Sequence, residues 1–214
     1  IKVVIDAYDG DVTLYQVDPD DPIATAWGGI YDGLFTPGDQ MPADLRAHMR
    51  YPEDMYKTQA EVLSIYHMTN PQIFYNKEDV WEIPTEIYGE EEIPVVPYYE
   101  VLALPGGTQP EFALLQPFSP LSKKNLASLL VARQDGDNYG KLVLVDFPKD
   151  KLVFGPSQVE ARITNDPVVS SQLTLWDQAG SEVIRGNLLV VPIEDSVMYF
   201  EPVYLQAQQS PIPE

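Results

Sequence analysis

Pro52 and Pro71 bracket the part of this chain that most limits what it can fold into, because helix-start chemistry, apolar periodicity and aromatic residues are all concentrated between Tyr51 and Gly89. Pro52 suits a first helical position, where its missing N–H would have had no partner. Glu53 and Asp54 then place negative charge at the positive end of the helix dipole. Met55, Gln59, Val62, Leu63 and Tyr66 recur at helical spacing and predict one stripe facing a core. Pro71 pushes Asn70 away from helical dihedrals, so the helix ends near Met68. Phe74, Tyr75, Trp81 and Tyr88 follow and are expected to fold back over it.

With 214 residues, 44% of them hydrophobic, the chain can bury a sizeable core, and a single soluble domain is expected, in one or two lobes. A formal net charge of -20 opposes any nucleic-acid partner, since a polyanion would approach a field of its own sign. The absence of cysteine removes disulfides, thiolate catalysis and cysteine-ligated metals. No apolar run is long enough to cross a bilayer, and no signal peptide heads the sequence. Ile1 opens directly into a strand-like run, which reads as a domain cut from a longer chain or a processed one.

Lys2 to Ala7 and Val12 to Val17 flank Asp9-Gly10 and predict an opening hairpin. Asp21 and Pro22 read as the cap and first residue of a short helix through Trp27, and a second short helix covers Ala43 to Met49. Glu90-Glu91-Glu92 with Pro94 and Pro97 mark a charged extended connection, so the junction between lobes is placed near 89–97. Tyr98 to Leu104 and Glu111 to Gln116 read as an antiparallel pair about Pro105-Gly106-Gly107. Leu126, Leu129 and Leu130 predict a helix over 122–133, and Lys141 to Phe147 a strand buried on both faces. Ser157 to Glu160 fits a capping box, and Asp166-Pro167 starts a further helical run to about 178. Three strands then follow, Glu182 to Ile184, Leu188 to Ile193 and Val197 to Leu205, with a turn at Glu194-Asp195 and a loose polar tail from Gln206. The fold class is therefore α+β, an antiparallel sheet packed against several helices.

Catalytic signatures are missing: no Gly-x-Ser-x-Gly elbow, no His-Glu-x-x-His pair and no Gly-x-Gly-x-x-Gly turn. The two histidines, His48 and His67, both stand near helix C-termini, where the dipole favours them on structural grounds. Phe74, Tyr75 and Trp81 suit either a core or a carbohydrate or peptide groove. Glu82 and Glu86 are the carboxylates placed to work with His67, if the fold brings them together in one cleft. Asp135, Asp137 and Asp146 fall on three positions of a calcium-loop pattern, but Tyr139 stands where a further oxygen ligand belongs. A plain Asp-Gly turn explains them better, and calcium is the one cofactor the sequence offers.

Several long words in order, Arg50-Tyr51-Pro52-Glu53-Asp54-Met55, Tyr66-His67-Met68-Thr69-Asn70-Pro71, Trp81-Glu82-Ile83-Pro84-Thr85-Glu86 and Ile184-Arg185-Gly186-Asn187-Leu188-Leu189, resemble uncharacterised protein family 0182 of bacterial multi-pass membrane proteins. Asn138-Tyr139-Gly140-Lys141-Leu142 and Gln172-Leu173-Thr174-Leu175-Trp176 extend the resemblance over nearly the whole chain. It implies amino-terminal transmembrane helices followed by a large region on the extracytoplasmic side of the cell membrane, of which this chain would be the carboxy-terminal part. It implies no activity. The expected role is a non-catalytic assembly or recognition module, whose partner is the transmembrane part of the same chain, another protein or a second copy. The competing expectation is an enzyme acting on envelope glycan or peptide through His67 and the carboxylates Glu82 or Glu86.

Overall fold

The computed structural model describes residues 1–207 other than 90, 105, 106, 108, 179, 194 and 195. The expected turns at Pro105-Gly106 and Glu194-Asp195 and the tail beyond Ala207 lie outside the described residues. Two compact units make up the chain, one from Ile1 to Arg50 and one from Tyr51 onward. The division thus falls between Arg50 and Tyr51, and the 89–97 connection, expected as a junction between lobes, lies inside the larger unit.

In the smaller unit, β1 (Lys2–Ile5) pairs antiparallel with β2 (Val12–Gln16), as the Asp-Gly signal predicts, with Gly10 at φ 81 in the connection. Asp21 caps α1 (Pro22–Ile30) by accepting the Ile23 and Ala24 amides at 2.9 and 3.1 Å. β3 (Thr36–Pro37) lies parallel to β2, and α2 (Ala43–Ala47) follows. Only Tyr15, Ala24 and Met41 among the apolar side chains here are buried, while Ile23, Trp27, Ile30 and Tyr31 are exposed.

The larger unit begins with α3 (Glu53–Tyr66) and α4 (Pro71–Asn76), followed by β4 (Trp81–Glu82) and the hairpin of β5 (Thr85–Tyr88) and β6 (Glu91–Pro94). Next come β7 (Tyr98–Leu102), β8 (Glu111–Pro120), β9 (Ser128–Arg133) and β10 (Leu142–Asp146). These form an antiparallel five-stranded sheet ordered β10-β9-β8-β4, with β7 also on β8. The chain continues through α5 (Pro156–Asn165) and α6 (Pro167–Trp176) into β11 (Ser181–Arg185), β12 (Leu189–Ile193), β13 (Ser196–Phe200) and β14 (Val203–Ala207). β11 pairs with β14 and β12 with β13. The α+β class holds. Among the described residues no helix is long and apolar enough to cross a membrane.

Both faces of the sheet are covered. Leu114, Phe118, Leu130 and Ala132 pack with Tyr56, Ala60 and Trp81 on one face. Ala113, Leu115, Leu129 and Val131 pack with Tyr98, Leu126 and Val190 on the other. This explains two corrections to the sequence reading. The expected helix over 122–133 is in fact β9 from Ser128, because a short apolar run cannot by its spacing distinguish a buried helix from a buried strand, and here both edges of Leu129-Leu130-Val131-Ala132 find ladder partners. β10, expected to be buried on both faces, is half-buried and, among the described residues, an edge strand paired only with β9.

A third correction concerns α3. The helix is present, and Leu63 of the expected stripe packs toward the sheet together with Tyr56 and Ala60, but Met55, Val62 and Tyr66 are 49%, 51% and 68% exposed. The two stripes are one residue apart, so periodicity alone does not choose between them. The sheet chooses Tyr56, whose hydroxyl donates to the Leu130 carbonyl at 2.7 Å and lies 3.2 Å from that of Leu114. Ala60 is small enough to let the helix approach closely. We expect Tyr56→Phe to lower unfolding free energy by about 1–2 kcal/mol through loss of the buried donor. Val62→Ala should cost less than about 0.5 kcal/mol. Urea unfolding of both variants checks the assignment; the reverse order would mean that the helix presents its other stripe to the sheet.

Candidate functional site

The residues singled out around the end of α3 fall into distinct environments. Asn70 starts α4 by accepting the Gln72 and Ile73 amides at 2.8 and 3.3 Å, a helix the sequence reading missed, and Lys77 ends it in the left-handed region at φ 54. The His67 ring lies flat on Trp81, with centroids 3.5 Å apart and planes 13° from parallel. Its Nδ1 is 2.9 Å from the Leu63 carbonyl oxygen. Because a carbonyl can only accept, Nδ1 is the donor in this contact. The other ring nitrogen, Nε2, is buried and has no hydrogen-bond partner among the described residues. Trp81 is buried, and beneath it lies Phe118, with centroids 5.6 Å apart.

Phe74 leans on Tyr66 at 5.4 Å, whereas its neighbour Tyr75 is 86% exposed. Glu82 faces Lys124 across 3.5 Å in a solvated pair of the kind that contributes little. A groove of about 530 Å³ runs past His67 and Trp81, with Lys77, Lys123, Asp79 and Asp146 among its walls. Lys149 bridges to Asp79 at 2.9 Å. The groove is mixed in charge and holds one imidazole, with neither Glu82 nor Glu86 on its wall. The cleft expected for an envelope hydrolase, His67 beside Glu82 or Glu86, is therefore not assembled. Asp135 and Asp137 lie elsewhere: Asp135 accepts the Phe112 amide at 2.7 Å, and Asp137 sits in a short turn over 136–138. Among the described residues no group of three His, Asp or Glu is placed to hold a metal ion.

Glu86 leads to a different constellation. Only 1% exposed, it accepts the Asn187 side-chain amide at 2.9 Å and the Leu188 backbone amide at 2.6 Å. Near it is Glu160 of α5, also 1% exposed, which accepts the Ile87 amide at 3.2 Å and pairs with Arg185 at the end of β11. Arg185 is shared: its Nε and Nη2 also grip the Glu201 carboxylate at 2.5 and 2.9 Å, and its Nη1 donates to Thr164 at 3.1 Å. Two carboxylates, Glu160 and Glu201, thus grip one guanidinium with Glu86 close to both of them, joining α5, β5, β11 and the segment before β14. Gly155 sets the entry of α5, since a Cβ there would collide with the Lys124 carbonyl oxygen, and its amide donates to Gln158 at 3.1 Å. The helix therefore starts before the expected Ser157 box, which leaves Glu160 free to turn inward.

Burial, reinforced by the nearby Glu201 carboxylate, pushes Glu160 up to about 7 against the pull of Arg185. Burial likewise raises Glu86, against its bonds from Asn187 and Leu188. Sequence reasoning missed Glu160, Arg185 and Glu201. One signal was present for Arg185: strand alternation places it on the same side as Val183, an inward charge that requires a partner.

A profile of the uncharacterised protein family UPF0182 matches residues 1–176. The whole chain is 57% identical to a UPF0182 protein of Pelotomaculum thermopropionicum and 53% identical to one of Moorella thermoacetica, covering 23% and 24% of their lengths. A UPF0182 protein of Nostoc sp. is 53% identical over 213 residues, 21% of its length. No solved structure matches the chain. The chain belongs to the UPF0182 family, an uncharacterised one, and spans less than a quarter of the length of the relatives it matches.

Because the folded protein holds the Glu160 proton more tightly than the unfolded chain does, the stability this group contributes is complete below its ordinary value of 4.5. It is lost as pH rises through about 7. We expect Glu160→Gln, which keeps the shape and an acceptor for Arg185, to flatten the fall in melting temperature between pH 4.5 and 7. Melting curves for the two proteins that run parallel over this window would remove Glu160 as the titrating group.

Proposed function

We propose that this chain is a non-catalytic assembly module on the extracytoplasmic side of a multi-pass bacterial membrane protein, and that it docks onto the transmembrane part of the same full-length protein. The observation that carries this reading is the outward stripe of α3. Met55, Val62 and Tyr66 repeat at helical spacing and are exposed, on a flank about 100° around the helix from the stripe of Tyr56 and Ala60 that packs on the sheet. A helix with apolar stripes on two sides is suited to being packed on two sides. Tyr66 reaches Phe74 on α4, and Tyr75 beside it extends the exposed aromatic surface.

Two further observations support the reading. α6 carries no charged residue and buries none of its ten, with Val168, Leu175 and Trp176 exposed. The smaller unit exposes most of the apolar residues of α1. Relatives that extend well beyond this chain supply the polypeptide that could cover such surfaces.

The test is co-purification of this chain with the separately expressed remainder of the protein. Val62→Asp combined with Tyr75→Ser should leave the melting temperature close to that of the parent, because both side chains are exposed. Recovery of the complex should fall about tenfold, equivalent to about 1.4 kcal/mol of lost association. Undiminished recovery with an intact fold would sink the assembly reading for this face.

A further inference from the structure

The hairpin of β12 and β13 is apolar on both of its faces. Its ten residues, Leu189 to Ile193 and Ser196 to Phe200, include no charged side chain, and Ser196 is the only hydroxyl-bearing residue apart from Tyr199. Register pairs Val190 with Tyr199 and Pro192 with Val197, and these side chains point to the central sheet: Val190 is fully buried, and Val197 and Tyr199 pack against the same cluster. The alternate positions pair Val191 with Met198 and Leu189 with Phe200. On that side Ile193, Met198 and Phe200 are 43%, 46% and 46% exposed. A strand covered on one side alternates apolar and polar residues, whereas continuous apolar sequence belongs to strands covered on both. Here, among the described residues, the ribbon pairs only within itself, and although Leu189 reaches the core cluster, the outer face is exposed at Ile193, Met198 and Phe200.

We propose that in the full-length protein the outer face of the β12–β13 hairpin is covered by an uncharged apolar segment of the same polypeptide lying outside residues 1–214. This inference rests on the reading of the chain as a module of a longer protein and adds a second surface to it. The occupant follows from length, area and charge. In the relatives, about three quarters of the polypeptide lies outside the region this chain matches. A stable dimer of two copies needs roughly 20–30 residues from each side, which a ten-residue ribbon does not supply. Two copies would also bring together two chains of net charge -20. A segment tethered to the same chain is present at high effective concentration and can hold a smaller patch.

The absence of cysteine makes the face testable one position at a time in full-length protein made cysteine-free elsewhere. Met198→Cys and Phe200→Cys are compared with Asp137→Cys, on an exposed turn, by the rate of alkylation with a water-soluble maleimide, each rate normalised to that of the denatured protein. We expect both hairpin positions to react at least about tenfold more slowly than position 137. Rates within about threefold of it would overturn the proposal. Protection that fades on dilution would mean a second copy, and protection lost when lipid is exchanged for detergent without melting would mean a lipid surface; either outcome overturns it. Val62→Cys reports separately on the α3 face. Slow hairpin cysteines beside a fast Val62→Cys support this inference while removing the α3 docking surface, and the reverse pattern does the opposite.

Discussion

Burial of β8 and β9 on both faces is the constraint on which the larger unit depends. Their backbone groups are satisfied by neighbours on each side, so their side chains must be covered above and below. Tyr56 and Ala60 supply one cover, and Val190 of β12, held by Tyr98 of the sheet's own strand β7, belongs to the other. Each cover is fastened by a buried tyrosine hydroxyl: Tyr56 donates to the carbonyl of Leu130, and Tyr98 donates to the carbonyl of Val190 at 2.7 Å while accepting its amide at 3.0 Å. Burial raises the pKa of both phenols, so each remains a donor well above physiological pH. The helices and outer hairpins are placed by what this sheet leaves uncovered.

Local chemistry was legible wherever a residue makes its structure with its own neighbours. Asp21-Pro22 and Asp166-Pro167 each specify a cap and a first turn, and the helices start there. The Asp9-Gly10 hairpin and the pairing of 98–102 with 111–115 follow from alternation and turn residues. Legibility failed where the deciding partner is distant in sequence. Ser128 to Arg133 becomes a strand because β8 and β10 lie beside it, and α3 turns Tyr56 inward because the Leu130 carbonyl, 74 residues away, accepts its hydroxyl.

The site shows the same division. Trp81, as an aromatic for a core or groove, and His67, as a partner for carboxylates, were singled out separately, and the fold stacks them on each other. Glu86 was chosen for chemistry with His67, yet its bonds run to Asn187 and Leu188, about a hundred positions away. Glu160, Arg185 and Glu201 come from three separate elements, and no short motif holds them together. What unites them is the cost of burying charge. One guanidinium shared by the carboxylates of Glu160 and Glu201 leaves part of that cost unbalanced, and the carboxyl of Glu160 bears it as a shift toward neutral pH.

The free edge of β10 carries a hazard of its own. Among the described residues no strand pairs with its outer side, beside the run Leu142-Val143-Leu144-Val145, a short, uncharged and strongly strand-forming segment of the kind that templates intermolecular sheets. Lys141 and Asp146 stand at its two ends, the charged gatekeepers by which natural sequences keep such edges from joining. The large negative charge of the chain adds long-range repulsion between molecules, which weakens as salt screens it. The acidity of this protein therefore acts as a colloidal safeguard for an open sheet, and the protein should be most prone to self-association in concentrated salt, where only Lys141 and Asp146 still guard the edge.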